Sequence, residues 1–159
     1  MAKKIDKNTL LVAVDFTSFS EKALVFASEL AEKIDARLLV LHVIHDPAEA
    51  PGFYAQKGKK KKFLKSMEEA AEEMMESFLK KMRKAYPGQM SIKEALPLLV
   101  VGTPVTRILE IAKKKQASMI IIGSHGRTGL SHLLVGSKAE RVVQLSPIPV
   151  TVVKSSTKK

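Results

Sequence analysis

Short, nearly continuous apolar runs alternate along the chain with longer segments whose apolar side chains recur at helical spacing. Runs of this kind predict strands buried on both faces of a sheet. They lie at 9–14, 37–44, 119–122 and 148–153, with a further strand inside 92–101. Because strands and helices alternate throughout, right-handed crossovers and a parallel sheet are expected. We predict a single α/β domain over residues 1–154, an open parallel five-stranded sheet with helices on both faces, and a disordered tail at 155–159.

Sequence signals at the ends of the predicted helices refine this pattern. Ser18 and Glu21 have the spacing of a capping box, and Ser137 and Glu140 repeat it, so helices are predicted to begin at these serines. Thr103 followed by Pro104 predicts an N-cap and a first helical residue. The longest helix is expected after a loop at 46–58. Its apolar stripe, interpreted as core, comprises Phe63, Met67, Ala70, Ala71, Met74, Phe78 and Met82.

Composition narrows the function classes. The chain has 159 residues and no cysteine, which excludes disulfides, zinc–thiolate sites and cysteine nucleophiles. No apolar run approaches the roughly 20 residues needed to span a bilayer, so we expect a cytoplasmic protein with no membrane segment. The net charge of +11 is concentrated in part at Lys57–Lys62, which is interpreted as a solvated basic loop. With few aromatic side chains available for base stacking, nucleic-acid binding is disfavoured as the main function.

A glycine-rich stretch follows the strand at 119–122. Glycines at 123, 126, 129 and 136 precede a predicted helix that opens at Ser137. Glycine lets the backbone approach a ligand closely, and a helix N-terminus favours anions such as phosphate. Asp15 and the segment 42–44 lie at the ends of two other predicted strands, and ligands of open parallel sheets bind beyond these ends. The three stretches therefore predict one anion-binding or nucleotide-binding crevice.

The four histidines do not form a convincing metal site in the sequence. His42 and His45 are three residues apart on a strand, so their side chains are expected on opposite faces. His125 and His132 lie in or near the glycine-rich stretch without an accompanying carboxylate pair. We expect no protein metal site, and any Mg or Mn ion is expected to be carried by the phosphates of a bound nucleotide.

The spacing Gly-x2-Gly-x9-Gly-Ser, formed by Gly123, Gly126, Gly136 and Ser137, resembles the signature of the ATP-binding branch of the universal stress protein family. The resemblance extends over the segments 12–15, 41–44, 102–104 and 149–153. It implies a Rossmann-like fold of the adenine nucleotide α-hydrolase type. It also implies bound ATP, with ADP or AMP as alternatives, and a homodimer formed through the C-terminal strand at 148–153.

The resemblance further implies a role for each part of the site. Asp15 is expected to contact the ribose or adenine, and Val43 to pair with the adenine edge through its backbone. The loop from Gly123 to Gly129 is expected to wrap the ribose and phosphates, and 137–139 to close the phosphate end. The full expected set is Ala13, Asp15, Val43, Gly123, Ser124, His125, Gly126, Arg127, Thr128, Gly129, Gly136, Ser137, Lys138 and Ala139.

These observations favour an ATP-binding universal stress protein that acts as a nucleotide-dependent regulator or switch in a stress response. Two alternatives remain open at this stage. One is a nucleotide-independent interaction module that uses the basic segment Lys57–Lys62 to bind acidic partners or nucleic acid. The other is a slow ATP hydrolase. No residue is identified that would position an attacking water, and the adjacent Ser124 and His125 are not expected to act as nucleophile and base, so no catalytic residue is predicted.

Overall fold

The computed structural model describes residues 8–46, 57–126 and 135–155. Ten elements follow one another in this part of the chain. They are β1 Thr9–Ala13, α1 Ser18–Ile34, β2 Arg37–Ile44, α2 Lys57–Ala85, α3 Met90–Lys93, β3 Leu96–Val101, α4 Pro104–Lys114, β4 Met119–Gly123, α5 Ser137–Leu145 and β5 Val150–Val153. The five strands form one parallel sheet in the order β3-β2-β1-β4-β5. The predicted single-domain α/β fold with an open parallel sheet is confirmed.

The strand order reverses at the centre of the sheet. From β1 the chain proceeds outward through β2 to β3, and then returns to place β4 on the other side of β1. In open parallel sheets the crevice at such a reversal lies beyond the carboxyl ends of the strands and is the usual ligand site. The topology therefore places the candidate site over the ends of β1, β2 and β4.

Two hydrophobic cores cover the two faces of the sheet. Alternate strand residues such as Leu10 and Val12 pack with α1, α2 and α3, whereas Leu11 and Ala13 pack with α4 and α5. This division follows from the period of two in a strand, which sends successive side chains to opposite faces. Because both faces are covered, the strands are predominantly apolar, as the sequence pattern predicted.

The β3 edge of the sheet is chemically blocked. The Gly102 N–H donates to the Ile44 carbonyl at 2.9 Å, so even-numbered residues of β3 face β2 and odd-numbered residues face outward. Pro97 is therefore outward-facing and has no N–H to offer. The outward carbonyl of Val101 accepts a hydrogen bond from Arg107 Nε at 2.9 Å. Proline and a charged side chain are common devices that prevent further strands from pairing with an edge.

Helices α1 and α5 begin at the predicted serines, but these serines are not the N-cap residues. The N-caps of α1 and α5 are Thr17 and Gly136, so Ser18 and Ser137 are the first helical residues and the predicted capping boxes are wrong. At α1 the reason is local, since the Thr17 hydroxyl donates to the Asp15 carboxylate at 2.6 Å. At α5 the Gly136 N–H donates to the carbonyl of Ser124 at 2.6 Å, which fixes the chain entry. The predicted start of α4 at Thr103 and Pro104 is confirmed.

The long helix α2 corrects two further predictions. The basic run 57–62 forms the first turns of α2 and is not a loop, although residues 47–56 of the predicted loop lie outside the described part of the chain. The predicted apolar stripe is core only in its C-terminal half. The buried residues of that half are Ala71, Met75, Phe78, Leu79 and Met82. Phe63 and Met74 are instead 49% and 40% exposed, so the predicted core role is wrong for them.

The C-terminal elements are shorter than the sequence pattern suggested. Strand β5 begins at Val150, and α5 buries Val142 while Val143 and Leu145 are exposed. Ser155 is the last described residue, and its hydroxyl accepts a hydrogen bond from Lys22 Nζ at 2.5 Å. The remainder of the predicted tail, 156–159, lies outside the described residues. Within the part of the chain that the structure describes, no helix combines the length and apolar character needed to cross a bilayer.

Candidate functional site

A cavity of about 390 Å³ lies over the carboxyl ends of β1, β2 and β4. Helix α2 borders it on one face of the sheet, and α4 and α5 border it on the other. One part of its wall is polar, formed by Asp15, Ser124 and the start of α5. Another part is apolar, with Ile108 and Met67 among its members. A volume of this size, with a few polar groups in a mainly apolar wall, is typical of small-molecule sites.

Asp15 follows β1 and uses one carboxylate oxygen to organise the turn into α1. Its Oδ1 accepts hydrogen bonds from the Thr17 N–H at 3.2 Å, the Thr17 hydroxyl at 2.6 Å and the Ser20 hydroxyl at 2.7 Å. The backbone N–H of Asp15 in turn donates to Ser20 Oγ at 2.8 Å. Its Oδ2 lies on the side of Gly126, 3.0 Å from where a Cβ on that glycine would be. The residue thus serves as a turn cap and lines the cavity at the same time.

The next residue, Phe16, adopts a left-handed backbone conformation with φ of 66°. Bulky residues pay a steric penalty in this region. The ring is held by aromatic neighbours, with its centroid 4.3 Å from that of His42 and 5.6 Å from that of Phe78. The His42 Nδ1 donates to the carbonyl of Val14, 2.8 Å away. These contacts fix the turn that carries Asp15 away from the end of β1.

The turn after β4 depends on two glycines. A Cβ on Gly123 would lie 2.9 Å from Phe19 Cβ and 3.0 Å from the Phe19 backbone, so α1 packs directly on this strand end. Gly126 faces Asp15 as described above. Between the two, the hydroxyl of Ser124 lies 2.9 Å from Nδ1 of His125. The Ser124 side chain is only 1% exposed, so this contact is buried at the floor of the turn.

The start of α5 closes the polar end of the cavity. Gly136 packs against the turn after β4, where an added Cβ would lie 3.2 Å from the Ser124 carbonyl oxygen. Ser137, Lys138 and Ala139 form the first turn of this nine-residue helix and line the cavity. The first backbone N–H groups of a helix lack helical partners and carry partial positive charge, which suits them to an anion.

The cavity brings together most of the residues predicted from the sequence. It is lined by Ala13, Asp15, Val43, Gly123, Ser124, His125, Gly126, Gly136, Ser137, Lys138 and Ala139. Arg127, Thr128 and Gly129 lie outside the described residues, as does His132. Among the described residues there is no cluster of three or more histidine and acidic side chains arranged to hold a metal ion.

Sequence reasoning missed much of the apolar wall. Helix α4 contributes Pro104 and Ile108, and α2 contributes Met67, Ala70, Ala71 and Met74. The α2 residues were included in the apolar stripe but were assigned to the core. The length of the apolar stripe was a signal, because every turn that carries it needs something to pack against. The sequence did not indicate that the N-terminal turns of the stripe would line a cavity.

The fold and this cavity define a Rossmann-like α/β domain with a ligand site at the strand-order reversal. The model of the Universal stress protein family matches residues 7–154, and the chain therefore belongs to that family. It is 31% identical over 160 residues to the universal stress protein YxiE of Bacillus subtilis, covering 92% of this chain and 99% of the relative. It is 30% identical over 149 residues to the universal stress protein MJ0531 of Methanocaldococcus jannaschii, covering 94% and 83% respectively.

Solved structures share the fold. The universal stress protein UspA of Lactobacillus plantarum superposes with a TM-score of 0.74 at 22% identity, covering 92% of this chain and 97% of that one. An Archaeoglobus fulgidus universal stress protein in complex with dAMP gives a TM-score of 0.62 at 24% identity, covering 94% and 100%. A universal stress protein in complex with cAMP gives 0.60 at 20% identity, covering 94% and 98%.

Proposed function

We propose that this protein binds ATP in the cavity over β1, β2 and β4 and acts as a nucleotide-dependent regulator in a stress response. The observation that carries the proposal is the division of one cavity into an apolar half and a polar half that ends at the N-terminus of α5 and Lys138. This is the arrangement that a nucleoside polyphosphate requires, since its base is flat and weakly polar while its phosphates are anionic. The dAMP and cAMP complexes of the two related folds support an adenine nucleotide as the ligand class.

The end of β2 is suited to read the edge of an adenine. Pairing between β1 and β2 ends at Ala13 and Leu41, and β2 continues to Ile44. The Ile44 carbonyl faces β3, where it accepts from Gly102. Since peptide groups alternate along a strand, those of Val43 face the opposite side, toward the space beyond the end of β1. A backbone N–H and C=O in that position offer one donor and one acceptor to a purine edge.

The polar half is suited to the ribose and phosphates. Asp15 Oδ2 lies next to Gly126 in the cavity wall and is placed to accept a hydrogen bond from a ribose hydroxyl. The phosphates would lie against the turn at 124–126 and the start of α5, with Lys138 supplying positive charge. A divalent cation would be carried by the phosphates. The proposal is one of binding and switching, and the cytoplasm, where ATP is available, is the compartment that it implies.

Calorimetry with the purified full-length protein tests this function directly. ATP is expected to bind with micromolar or tighter affinity, with one site per chain. GTP is expected to bind more weakly, because the Val43 backbone would present its donor and acceptor to the wrong base edge. Absence of any measurable affinity for ATP, ADP and AMP, together with no nucleotide released on denaturing fresh protein, would contradict the proposal.

We also propose that the protein is a homodimer paired through β5. The Ile120 and Ser124 N–H groups donate to the Pro149 and Val153 carbonyls at 3.0 and 2.9 Å. Odd-numbered residues of β5 thus face β4, and the peptide groups of Val150 and Val152 face outward. Pro97 and Arg107 obstruct the β3 edge. Val150 and Val152, in contrast, each have a backbone N–H and C=O at the β5 edge. A second copy related by a two-fold axis can add its own β5 to this edge, burying the half-exposed valines.

Val152→Pro is expected to convert the dimer to a monomer while the domain stays folded. The substitution removes an N–H that faces outward and leaves the hydrogen bonds to β4 in place, in the manner that Pro97 is accommodated in β3. Sedimentation velocity at micromolar concentration measures the oligomeric state, and circular dichroism checks the fold. A wild-type monomer, or a Val152→Pro protein that remains dimeric, would contradict pairing through β5.

A further inference from the structure

Helix α2 borders the cavity on one side with apolar side chains that are partly exposed. Met67, Ala70 and Met74 lie on one stripe of α2 and line the cavity. Met74 is 40% exposed and Met67 is half-buried, so neither side chain is fully packed by other protein atoms. Phe63, one turn before Met67 on the same stripe, is 49% exposed. An apolar stripe of this kind at a cavity mouth offers a surface for a flat apolar ligand group.

The opposite wall of the cavity is also apolar. It is formed by Ile108 and Pro104 of α4 together with Val43 of β2. Helix α2 belongs to one face of the sheet and α4 to the other, so the two walls lie across the strand ends from each other. Such a slot matches a planar base better than a sugar or phosphate. Methionine sulfur contacts aromatic rings favourably and adapts to their shape.

Among the described residues, the N-terminal half of α2 has few stabilising contacts outside the cavity. Within residues 59–70 no side chain is buried, whereas residues 71–82 supply five core side chains. The first turn of the helix contains no acidic residue and is rich in lysine, so its charges oppose the helix dipole. In this segment Lys60 forms an ion pair with Asp46 at 3.8 Å and Lys65 one with Glu69 at 3.9 Å, and exposed pairs of this kind contribute little to stability. Helices of globular proteins draw most of their stability from packing.

We propose that Met67 and Met74 pack against the base of the bound nucleotide, and that the N-terminal half of α2 is stabilised by this contact. The inference rests on the proposed nucleotide function and adds the element that responds to it. Occupancy of the slot would fix the turns that carry Lys59–Lys62, about two turns from Met67, so that a basic surface becomes rigid only when the base is bound. The switch would then act through α2.

Two substitutions test the contact. Met67→Ala and Met74→Ala are each expected to weaken binding about fivefold, because each removes buried methylene and sulfur contacts from the base. The loss should be the same for adenosine as for ATP, since both carry the same base. Alanine is well tolerated in a helix. Met90→Ala is the matched control, because Met90 is 54% exposed and lies outside the cavity lining.

Hydrogen–deuterium exchange of the wild-type protein tests the response of the helix. Saturating adenosine is expected to slow exchange at 59–70 by at least about fivefold, and tripolyphosphate alone is expected to leave this segment unchanged. The C-terminal half of α4 serves as the internal reference, because it lies away from the cavity.

The possible failures are distinguishable. A wild-type protein that binds no adenine compound overturns the nucleotide function itself. A wild-type protein that binds adenosine while both methionine variants bind it equally well overturns the contact. Unchanged exchange at 59–70 in the adenosine complex overturns the proposed stabilisation of α2.

Discussion

Gly126→Val is expected to reduce ATP affinity at least about 100-fold while leaving the domain folded. A Cβ at this position would lie 3.0 Å from Asp15 Oδ2, and the two further methyl carbons of valine would occupy the space between the turn and the carboxylate. The turn and the carboxylate together form the wall that is proposed to contact the ribose and first phosphate, so their displacement would disrupt this contact. A 100-fold loss corresponds to about 2.7 kcal/mol of binding free energy. Calorimetry with ATP measures the loss directly.

The matched control for this change is Gly88→Val. Gly88 lies in the turn after α2, where an added Cβ meets nothing within 4 Å. Both variants introduce the same side chain on a described turn, so a general effect of valine would appear in both. ATP binding should be retained by Gly88→Val. Equal affinity in Gly126→Val and the wild-type protein would mean that the nucleotide, if bound, does not use this turn.

Asp15→Asn and Asp15→Ala are expected to separate the two roles of this carboxylate. In Asp15→Asn the amide oxygen can still accept the hydrogen bonds from Thr17 and Ser20, so stability should change little. The charged acceptor facing the ligand is lost, and ATP affinity should fall about 10- to 100-fold, since hydrogen bonds to charged groups are worth about 1.5–3 kcal/mol. Asp15→Ala should show the same loss of binding.

Asp15→Ala should in addition lower the free energy of unfolding by about 1–3 kcal/mol, because the buried Ser20 hydroxyl and the Thr17 donors lose their shared acceptor. Denaturant titration measures the change in the free energy of unfolding, and calorimetry measures the change in ATP affinity. Asp35→Asn, at the C-terminal end of α1, is the control for removal of one negative charge. If Asp15→Asn lowers stability but leaves ATP binding intact, Asp15 serves the turn alone.

The sheet and the convergence of its strand ends were predictable because they follow from the repeated alternation of apolar runs and helical segments. Runs such as 9–14 and 37–44 are nearly continuously apolar. Such runs call for burial on both faces, which a parallel sheet with helices on each side supplies. Once the sheet is parallel, the ends of β1, β2 and β4 meet at one edge. The positions of Asp15, Val43 and Gly123 beside one cavity thus follow from the pattern and need no knowledge of side-chain contacts.

The N-caps of α1 and α5 and the apolar wall were not predictable for a different reason. A capping box is a local signal, and at α1 it was overridden when Asp15 Oδ1 captured the Thr17 hydroxyl. Met67 and Met82 share one helical stripe and look alike in the sequence, yet one lines the cavity and the other is fully buried. Whether an apolar residue of the helix faces the core or the cavity depends on how far the helix extends beyond the strand ends. The periodicity of apolar residues in the sequence does not encode this distance.

The blocked β3 edge has a consequence for the size of the assembly. If two copies join through β5, their sheets become one continuous sheet of ten strands, and both of its free ends are β3 strands. Pro97 supplies no donor there and Arg107 occupies the Val101 carbonyl, so neither end is suited to accept another copy. Pairing is then self-terminating at two. Pro97 and Arg107, which belong to neither the core nor the cavity lining, would therefore decide whether this protein forms a closed dimer or a growing fibre.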